Sequence, residues 1–287
     1  MTPLEYRTYI PYVKRIKQES QIRFLGQGLN GKWEVYGILS TNPIFKIHLP
    51  KTAIYRETKQ LFHWLSVTPI ILKPTGGSHG NGVIKVHYDH HRYEIVGRTF
   101  DNKKIHEIVN NKNQLIKAIQ SIIQRRRYAI QQYLQLTTSQ NEPYDIRVLV
   151  QKNEKGLWET TGMAARIGDA DNITSNLHGG GYVDSAEKII QTEFSPYQAK
   201  EILAQIQSLA KTIPPFIEQS HGLFVELGLD LGIDKQGKVW IIEVNSKPGR
   251  SVFSILGDEQ ASYKSVIQPI LYTRYLSKNQ ILGGNVK

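Results

Sequence analysis

The sequence predicts an α+β protein of two lobes whose sheets are mostly antiparallel, and three observations support this fold class. Short runs in which apolar and polar residues alternate recur in pairs joined by turns, as is typical of hairpins. Stretches with apolar residues at helical spacing separate these pairs. The chain has 287 residues, nearly twice the roughly 150 of one domain, and we expect the two lobes to meet near residue 135.

Residues 1–65 are predicted to form a short N-terminal region. Its pattern is mixed and becomes regular only after residue 65. Two short helices are expected, around residues 33–39 and 56–64, because a turn-prone Ser-Thr-Asn-Pro sequence at 40–43 separates them.

Residues 66–134 are predicted to form the smaller lobe. It begins with an apolar run at 69–74, which a glycine-rich loop follows. Residues 82–97 alternate on both sides of an Asp-His-His turn and therefore predict a hairpin. Apolar residues at helical spacing predict a helix over 113–124, and the run 128–134 is typical of a strand.

Residues 135–287 are predicted to form the larger lobe. A strand is expected over 146–150, with its hairpin partner at 158–167. A second hairpin is expected from the runs 224–233 and 239–244, because an Asp-Lys-Gln-Gly turn joins them.

The long helix of the larger lobe has a clear start signal. Ser195 is a suitable N-cap, Pro196 takes the first helical position, and Gln198 lies three residues after the cap. Apolar residues at helical spacing follow. Pro214 and Pro215 are expected to interrupt the helix, because proline lacks the backbone donor and clashes with the preceding turn.

Charge and composition restrict the class of protein. Lys and Arg total 36 against 25 Asp and Glu, a formal net charge of +11. The absence of cysteine excludes disulfides and thiolate chemistry and suits a reducing compartment. No apolar run approaches the roughly 18 residues of a membrane span, and the first residues lack a secretory signal. We expect a soluble, cytoplasmic protein whose charge favours an anionic ligand.

The first motif is a glycine-rich loop between two predicted strands. Four glycines within seven residues let the backbone approach a bulky anion and direct several N–H groups towards it. Lys73, at the end of the preceding strand, adds a positive charge suited to phosphate oxygens. The alternative is a flexible hairpin connection. The loop contains Gly76, Gly77, Ser78, Gly80 and Gly82.

The second motif places acidic and amide side chains on two consecutive strands. Asp230 and Glu243 are predicted to lie side by side across a tight turn, and Asn245 shares a strand face with Glu243. Their hard oxygen atoms suit Mg²⁺ that also keeps waters and substrate phosphates. The alternative is an ordinary salt bridge at a strand end.

The third motif supplies two guanidinium groups. Asp145 and Arg147 share a strand face, and Arg166 lies on the expected partner strand. Guanidinium forks suit phosphate or carboxylate oxygens. The alternative is that each arginine is a surface or ion-pair residue.

Taken together and in this order, these motifs resemble those of the ATP-grasp ligases. The closest resemblance is to the YheC/YheD group of endospore coat-associated proteins, over about residues 30–255. Residues 174–181, Thr-Ser-Asn-Leu-His-Gly-Gly-Gly, are also similar to a segment of ribosomal-protein glutamate ligases. The joint occurrence is specific, whereas any one motif alone is weak. The resemblance rests on Lys73-Pro74 with the glycine loop, the segment 145–147, Arg166 with Asn176, and the array of Asp230, Glu243 and Asn245.

This resemblance implies an ATP-grasp fold, in which two α/β lobes with mostly antiparallel sheets clamp ATP. Lys73 would contact the α- and β-phosphates and the glycine loop would close over them, while Asp145 would lie near the ribose or the metal shell. Only about 30 residues precede Lys32, so a shortened version of the N-terminal domain of larger members is expected. The implied nucleotide-binding residues are Lys32, Lys73, Gly77, Ser78, Gly80, Gly82, Gln131, Gln132, Tyr133, Leu134 and Asp145.

The resemblance also implies the catalytic and metal-binding residues. Arg147, Arg166 and Asn176 would face the γ-phosphate and the acyl phosphate formed from it. The residues Asp230, Glu243 and Asn245 would hold two Mg²⁺ ions, for which Mn²⁺ can substitute.

The expected function is an ATP- and Mg²⁺-dependent carboxylate–amine ligase that acts through an acyl phosphate. Its expected substrate is a small molecule, peptide or protein, and the basic charge favours an acidic one. No nucleic-acid partner is expected, because no base-stacking aromatic module is evident. The alternatives are a phosphotransferase on the same scaffold and a nucleotide-binding protein of the spore surface without turnover. The family resemblance implies an association with the spore in addition to the expected cytoplasmic location. No oligomeric state is predicted from the sequence.

Overall fold

Two antiparallel sheets organise the chain. The computed structural model describes residues 11, 12, 15, 18, 28, 29, 31–76, 80–170, 172–175 and 180–279. The helices are α1 (Lys32–Ser40), α2 (Pro43–Lys46), α3 (Thr58–Leu65), α4 (Lys112–Ile123), α5 (Ala186–Glu193), α6 (Pro196–His221), α7 (Ser251–Leu256) and α8 (Glu259–Lys278). The strands are β1 (Thr52–Ile54), β2 (Ile70–Pro74), β3 (Ile84–Asp89), β4 (Arg92–Arg98), β5 (Lys104–Val109), β6 (Tyr128–Gln132), β7 (Tyr144–Lys152), β8 (Trp158–Ile167), β9 (Tyr182–Ser185), β10 (Glu226–Ile233) and β11 (Val239–Asn245).

The first sheet has the strand order β1-β6-β2-β3-β4-β5, and all its neighbours are antiparallel. Alternate residues of its strands pack with α3 and α4 in one hydrophobic core, which includes Leu61, Leu72 and Ile119. Because successive side chains of a strand point to opposite faces, the residues between these core positions lie on the other face. Lys73 and Lys85 are two such residues.

The second sheet has the order β11-β10-β7-β8-β9 and is also antiparallel throughout. Ile146, Val148 and Val150 of β7 belong to a core that contains residues of α1, α5 and α6. Leu149 lies on the opposite face, in a smaller cluster with Phe253 of α7. The α7–α8 segment therefore covers part of that second face.

The predicted hairpins and helices are present. Residues 82–97 form the β3–β4 hairpin, whose tip contains His90 and His91 at φ values of 43° and 63°. The β7–β8 and β10–β11 hairpins pair in the expected antiparallel manner. Ser195 and Gln198 form a reciprocal capping box at the start of α6.

The predicted interruption at Pro214 and Pro215 is wrong, because α6 continues through both prolines to His221. Ile213, Pro214 and Ile217 are buried in this part of the helix. Tertiary packing of this buried face therefore outweighs the two missing backbone donors.

The described part of the predicted N-terminal region contributes to both cores. Val35 and Leu39 of α1 pack in the core of the second sheet. In contrast, β1 pairs with β6 of the first sheet, and Leu61 of α3 is buried beneath that sheet. The boundaries at residues 65 and 134 stay predictions. Within the described residues, no helix combines the length and apolar character that crossing a membrane requires.

A buried ion pair fastens the C-terminal end of α6 to the second sheet. The carboxylate of Glu218 accepts from Lys152 Nζ at 2.7 Å, Trp158 Nε1 at 3.0 Å and the Phe224 backbone N–H at 2.9 Å. The side chains of Lys152 and Glu218 are only 7% and 14% exposed. Removal of one partner would leave the other charge buried without compensation.

We predict that Glu218→Ala lowers the free energy of unfolding by about 3–5 kcal/mol, because it strands the buried Lys152 ammonium. Glu201→Ala on the same helix removes an exposed carboxylate and should change stability by less than about 0.5 kcal/mol. Urea unfolding followed by circular dichroism compares the two variants. Equal stability of the two variants would show that the ion pair does not fasten the helix.

Candidate functional site

A cleft of about 800 Å³ lies between the two sheets. It is lined by the free face of the first sheet and by residues of β7, β8, β10 and β11. This volume is in the usual range for sites that take a small molecule or cofactor. The predicted site residues that line the cleft are Lys32, Lys73, Gly80, Gln131, Gln132, Tyr133, Leu134, Asp145, Arg147, Arg166, Asp230, Glu243 and Asn245.

Four predicted site residues are not among those that line the cleft. Gly82 is described but does not line it. Gly77, Ser78 and Asn176 lie outside the described residues. Their predicted roles at the phosphates stay predictions.

The segment from Gln131 to Leu134 begins with the last two residues of β6, the strand between β1 and β2, and continues beyond it. Gln131 Nε2 donates to Thr52 Oγ1 at 2.8 Å, and Gln132 Oε1 accepts from the Lys51 backbone at 3.3 Å. Both side-chain amides therefore have partners within the first sheet. The Tyr133 backbone N–H donates to the carbonyl of Pro69 at 2.9 Å, which fixes the path of the chain into the cleft.

Lys32 and Lys73 both lie near Glu243, at the end of the cleft next to β2. Lys32 Nζ lies 3.0 Å from Glu243 Oε2, and this pair is partly exposed. Lys73 is half-buried nearby, on the face of β2 opposite Leu72 and Pro74. Burial and the charge of Lys32 lower the pKa of Lys73 to about 8, although Glu243 acts in the opposite direction.

The described ends of the glycine-rich loop are anchored on the first sheet. The Thr75 backbone N–H donates to the Arg127 carbonyl at 3.0 Å. Gly82 has φ +76°, and a Cβ placed there would lie 2.8 Å from Tyr128 Oη and 2.9 Å from a ring carbon of Pro74. Both the backbone conformation and the space therefore require glycine at this position.

Two carboxylates and two guanidinium groups form one buried network across β10, β7 and β8. Arg147 donates through Nε and Nη2 to the two oxygens of Asp230, at 2.6 and 3.1 Å. Arg166 donates through Nε and Nη2 to Asp145 at 2.7 and 2.6 Å, and its Nη2 also lies 3.0 Å from Asp230 Oδ2. Ser175 Oγ donates to Asp145 Oδ2 at 2.6 Å.

The charges within this network shift the pKa values of Asp230 and Arg166. Burial acts to raise the pKa of Asp230, but the charges of Arg166 and Arg147 outweigh it and hold that pKa below its ordinary value. Burial also disfavours the charged form of Arg166, yet Asp145 and Asp230 raise the pKa of its guanidinium above the ordinary value. Asp230 and Arg166 are therefore both ionised near neutral pH.

The sequence left two interpretations of Arg147 and Arg166 open, phosphate binding and ion pairing, and the network is compatible with both. Both arginines line the cleft, as the phosphate-binding prediction requires, and both are also ion-pair residues. Among the described residues, the Nη1 group of neither arginine has a hydrogen-bond partner. The Nη1 group of each guanidinium, with its two N–H donors, is thus left for an anion that enters the cleft.

The predicted metal ligands do come together. Asp230 and Glu243 are directly opposite each other on β10 and β11, and Asn245 Nδ2 lies 3.4 Å from Asp230 Oδ2. Two carboxylates and an amide fit Mg²⁺ that takes its other ligands from phosphate and water. No cluster of three or more His, Cys, Asp or Glu occurs within the described residues. The Glu243 side chain is 26% exposed against 9% for Asp230, whose two oxygens already accept from guanidinium groups, so Glu243 is the more accessible ligand.

Sequence reasoning missed two lysines that line the cleft. Lys85 Nζ lies 4.3 Å from the centre of the Tyr133 ring, and burial lowers the pKa of Lys85 while Glu94 raises it. The alternation of β3 contained the signal, because Ile84 and Val86 are core residues and Lys85 lies between them. Lys247 follows Asn245 by two residues and is exposed in the cleft.

A contact between the lobes was also missed. Arg98 Nη2, at the end of β4, donates to Asn172 Oδ1 at 3.0 Å. Asn172 follows β8 and lines the cleft. This pairing joins residues 74 positions apart, which no local pattern specifies.

Comparison with known proteins finds a family model and two curated relatives that match most of the chain. The model of a family described as YheC/D-like ATP-grasp matches residues 21–276. The endospore coat-associated protein YheC of Bacillus subtilis (strain 168) is 29% identical over 276 residues, which cover 95% of this chain and 72% of YheC. YheD of the same organism, also described as endospore coat-associated, is 28% identical over 274 residues, 93% of this chain and 59% of YheD. The chain thus spans less than two thirds of YheD.

A solved structure of D-alanine–D-alanine ligase from Bacillus anthracis, complexed with ATP, is similar with a TM-score of 0.46 at 14% identity. The match covers 88% of this chain and 64% of the ligase.

We predict that Asp230→Asn lowers the free energy of unfolding by about 3–5 kcal/mol, because it removes the charge that compensates two buried guanidinium groups. Glu243→Gln is the matched control, since it makes the same chemical change at a partly exposed pair and should cost at most about 1 kcal/mol. Urea unfolding of both variants near neutral pH measures the difference. Similar losses in the two variants would contradict the assigned role of Asp230 in the network.

Proposed function

The chain belongs to the YheC/D-like ATP-grasp family, and from this premise we propose that it is an ATP- and Mg²⁺-dependent carboxylate–amine ligase. Family membership confirms the fold class and the resemblance predicted from the sequence. The proposed product is an amide, formed through an acyl phosphate with release of ADP. The proposed substrate class is an amino acid, peptide or protein.

The observation that carries this proposal is that the cleft separates a positive side chain on the first sheet from a carboxylate–amide set on the second. Lys73 has no ion pair among the described residues and lies opposite a carboxylate–amide set on the other sheet. Between them, two guanidinium groups are held in fixed orientations by buried carboxylates. An ATP-dependent acyl transfer needs these functions together, namely phosphate binding, metal ligation and stabilisation of a transferring phosphoryl group.

ATP is proposed to lie with its adenine along Gln131 to Leu134 and its phosphates towards Lys73. The side-chain amides of Gln131 and Gln132 are engaged within the sheet, so backbone groups of the following residues are the better adenine contacts. Lys73 would bind phosphate oxygens. Lys32, which contacts Glu243, would lie beside the phosphates on the side of that carboxylate. Asp145 is proposed to act by holding Arg166 instead of binding the ribose, because its oxygens accept from Arg166 and Ser175.

Glu243 and Asn245, with Asp230, are the proposed ligands of Mg²⁺, which when bound would neutralise phosphate charge and hold the phosphates in line for transfer. Glu243 would give up its contact with the Lys32 ammonium and bind the metal ion instead. Lys32 is then free to approach a phosphate oxygen. One or two ions are compatible with this set of oxygen atoms, and Mn²⁺ accepts the same ligands.

The proposed reaction has two steps. An oxygen of the substrate carboxylate attacks the γ-phosphorus, the bond between this phosphorus and the β–γ bridging oxygen breaks, and ADP leaves. The nitrogen of a neutral amine then attacks the acyl carbon, the bond between this carbon and the phosphate oxygen breaks, and inorganic phosphate leaves with the proton that the amine loses. The Nη1 groups of Arg147 and Arg166 would stabilise the charge of the phosphoryl group in both steps. Because Asp145 accepts from Arg166 and Ser175, the amine is proposed to enter as its neutral form.

Incubation with Mg²⁺-ATP, hydroxylamine and a panel of amino acids and peptides tests the proposal. The ligase produces ADP, phosphate and a hydroxamate in equal amounts, because hydroxylamine captures the acyl phosphate. Production of ADP and a stable phosphate ester without hydroxamate would identify a phosphotransferase. Binding of ATP without any turnover would favour the alternative of a nucleotide-binding protein without catalytic activity.

Both curated relatives are named endospore coat-associated proteins. These names support the proposal that the ligase acts in sporulating cells on a substrate of the spore. The proposed site of synthesis is the cytoplasm, where ATP is available.

We predict that Glu243→Gln reduces Mg²⁺-dependent turnover by at least about a hundredfold, because metal charge at the transferring phosphoryl group is worth several kcal/mol. Glu243→Asp, which keeps the charge, should retain part of the activity and require more Mg²⁺. Turnover against Mg²⁺ concentration separates the two variants. Activity of Glu243→Gln close to the wild type would remove Glu243 from the metal site.

We predict that ADP binds most tightly below about pH 8 and that its affinity falls as the pH rises further, by up to about tenfold per pH unit. The reason is that the pKa of Lys73 is lowered to about 8, so the ammonium that binds phosphate loses its proton in this range. Lys73→Arg stays charged and should lose this dependence. Calorimetry at constant Mg²⁺ compares both proteins, and the same fall in affinity in both would exclude Lys73 as its cause.

A further inference from the structure

Six cationic and four anionic side chains line the described part of the cleft. Most of them compensate one another through the ion pairs described above. Lys73 and Lys85 remain at the end next to the first sheet, where burial lowers the pKa of each. Lys247 is different, because it is exposed and has no hydrogen bond or ion pair to any described residue.

The loop that carries Lys247 is held firmly on β10. Pro248 lies over Gly228, where an added Cβ would come within 2.7 Å of the proline Cβ. Two residues further, Arg250 Nη2 lies 2.7 Å from each carboxylate oxygen of Glu226. Since both contacts are on the same strand, the chain after Asn245 stays packed against the N-terminal half of β10. Lys247 is therefore presented by a fixed backbone, unlike an ordinary surface lysine.

Lys247 lies outside the smaller cavity that holds the proposed phosphate-binding lysines. Glu243 contacts Lys32, and Asn245 and Lys247 then follow along the chain. A second, smaller cavity of about 40 Å³ contains Lys32, Lys73 and Glu243 but not Lys247. Near Lys247 the cleft is lined by Gly249, Ser251 and Val252, which carry no charge. Lys247 is therefore an exposed cation of the described cleft that lies outside the cavity of Lys32 and Lys73 and is not held in an ion pair with any described residue.

We propose that Lys247 binds a carboxylate of the substrate other than the one that reacts, and that it thereby selects acidic peptides. This inference rests on the proposed ligase function and specifies its substrate class. An exposed ammonium beside uncharged residues binds a free carboxylate by a charge-assisted hydrogen bond, which a carboxamide of the same shape does not provide. Arg147 and Arg166 then remain available for the reacting carboxylate and phosphoryl group.

Calorimetry of diglutamate and diglutamine on the protein saturated with Mg²⁺-ADP tests this inference without requiring turnover. The wild type should bind diglutamate at least about tenfold more tightly than diglutamine, because a hydrogen bond to a charged group is worth that much. Lys247→Gln should lose this preference, and Lys247→Arg should restore most of it. Lys211→Gln, on the exposed surface of α6, makes the same change in net charge and should retain the full preference.

Each other outcome has a defined meaning. An equal preference in wild type and Lys247→Gln overturns the inference, as does a wild type that does not bind diglutamate. A loss of ADP affinity in Lys247→Gln also overturns it, because Lys247 would then belong to the nucleotide site. If the wild type forms no hydroxamate with any peptide, the ligase proposal fails, while calorimetry still decides whether Lys247 binds an acidic ligand.

Discussion

The buried network of Asp145, Arg147, Arg166 and Asp230 is the constraint on which the cleft depends. It consists of two directly opposed cross-strand pairs, Asp145 with Arg166 and Asp230 with Arg147, joined by the contact between Arg166 and Asp230. Removal of any member leaves an uncompensated charge in a buried place, so the four residues fix the relation of β8, β7 and β10 to one another. The same hydrogen bonds hold both guanidinium groups in one orientation, which is the preorganisation that stabilisation of a transferring phosphoryl group requires.

The network also determines which charges are available to ligands. Its two cations and two anions balance, and Lys32 balances Glu243. Of the remaining lysines, half-buried Lys73 and exposed Lys247 mark the two ends of the cleft that we assign to ligands. In our account, ATP phosphates occupy the first end and an acidic group of the substrate the second. The reacting atoms meet between them, at the arginines and the metal ligands.

Local patterns were sufficient to predict most elements and several contacts. Ser195 and Gln198 cap α6 as the sequence indicates, and the tight turn at 234–237 places Asp230 beside Glu243. Such features depend on residues close in sequence, whose geometry is nearly fixed by the turn or the helix. The continuation of α6 through Pro214 could not be predicted in this way, because it depends on packing against distant residues.

The partners of the site residues were harder to predict than the residues themselves. Arg147 and Asp230 are 83 positions apart, and their pairing depends on the register of β7 with β10, which no local pattern determines. The sequence therefore predicted Asp230 as a metal ligand without revealing that both its oxygens accept from arginines. Lys247 had no signal of its own, since only the packing of its loop against β10 brings it into the cleft.

The most direct test of the account is the fate of the oxygen atoms of the substrate carboxylate. The peptide that gives the most hydroxamate is labelled with heavy oxygen in its carboxylates and incubated with Mg²⁺-ATP and an amine, and the released phosphate is analysed by mass spectrometry. Formation of an acyl phosphate predicts that one labelled oxygen passes to inorganic phosphate for each amide formed. Amide formation with unlabelled phosphate would contradict the account, because the carboxylate would then not have attacked the γ-phosphorus.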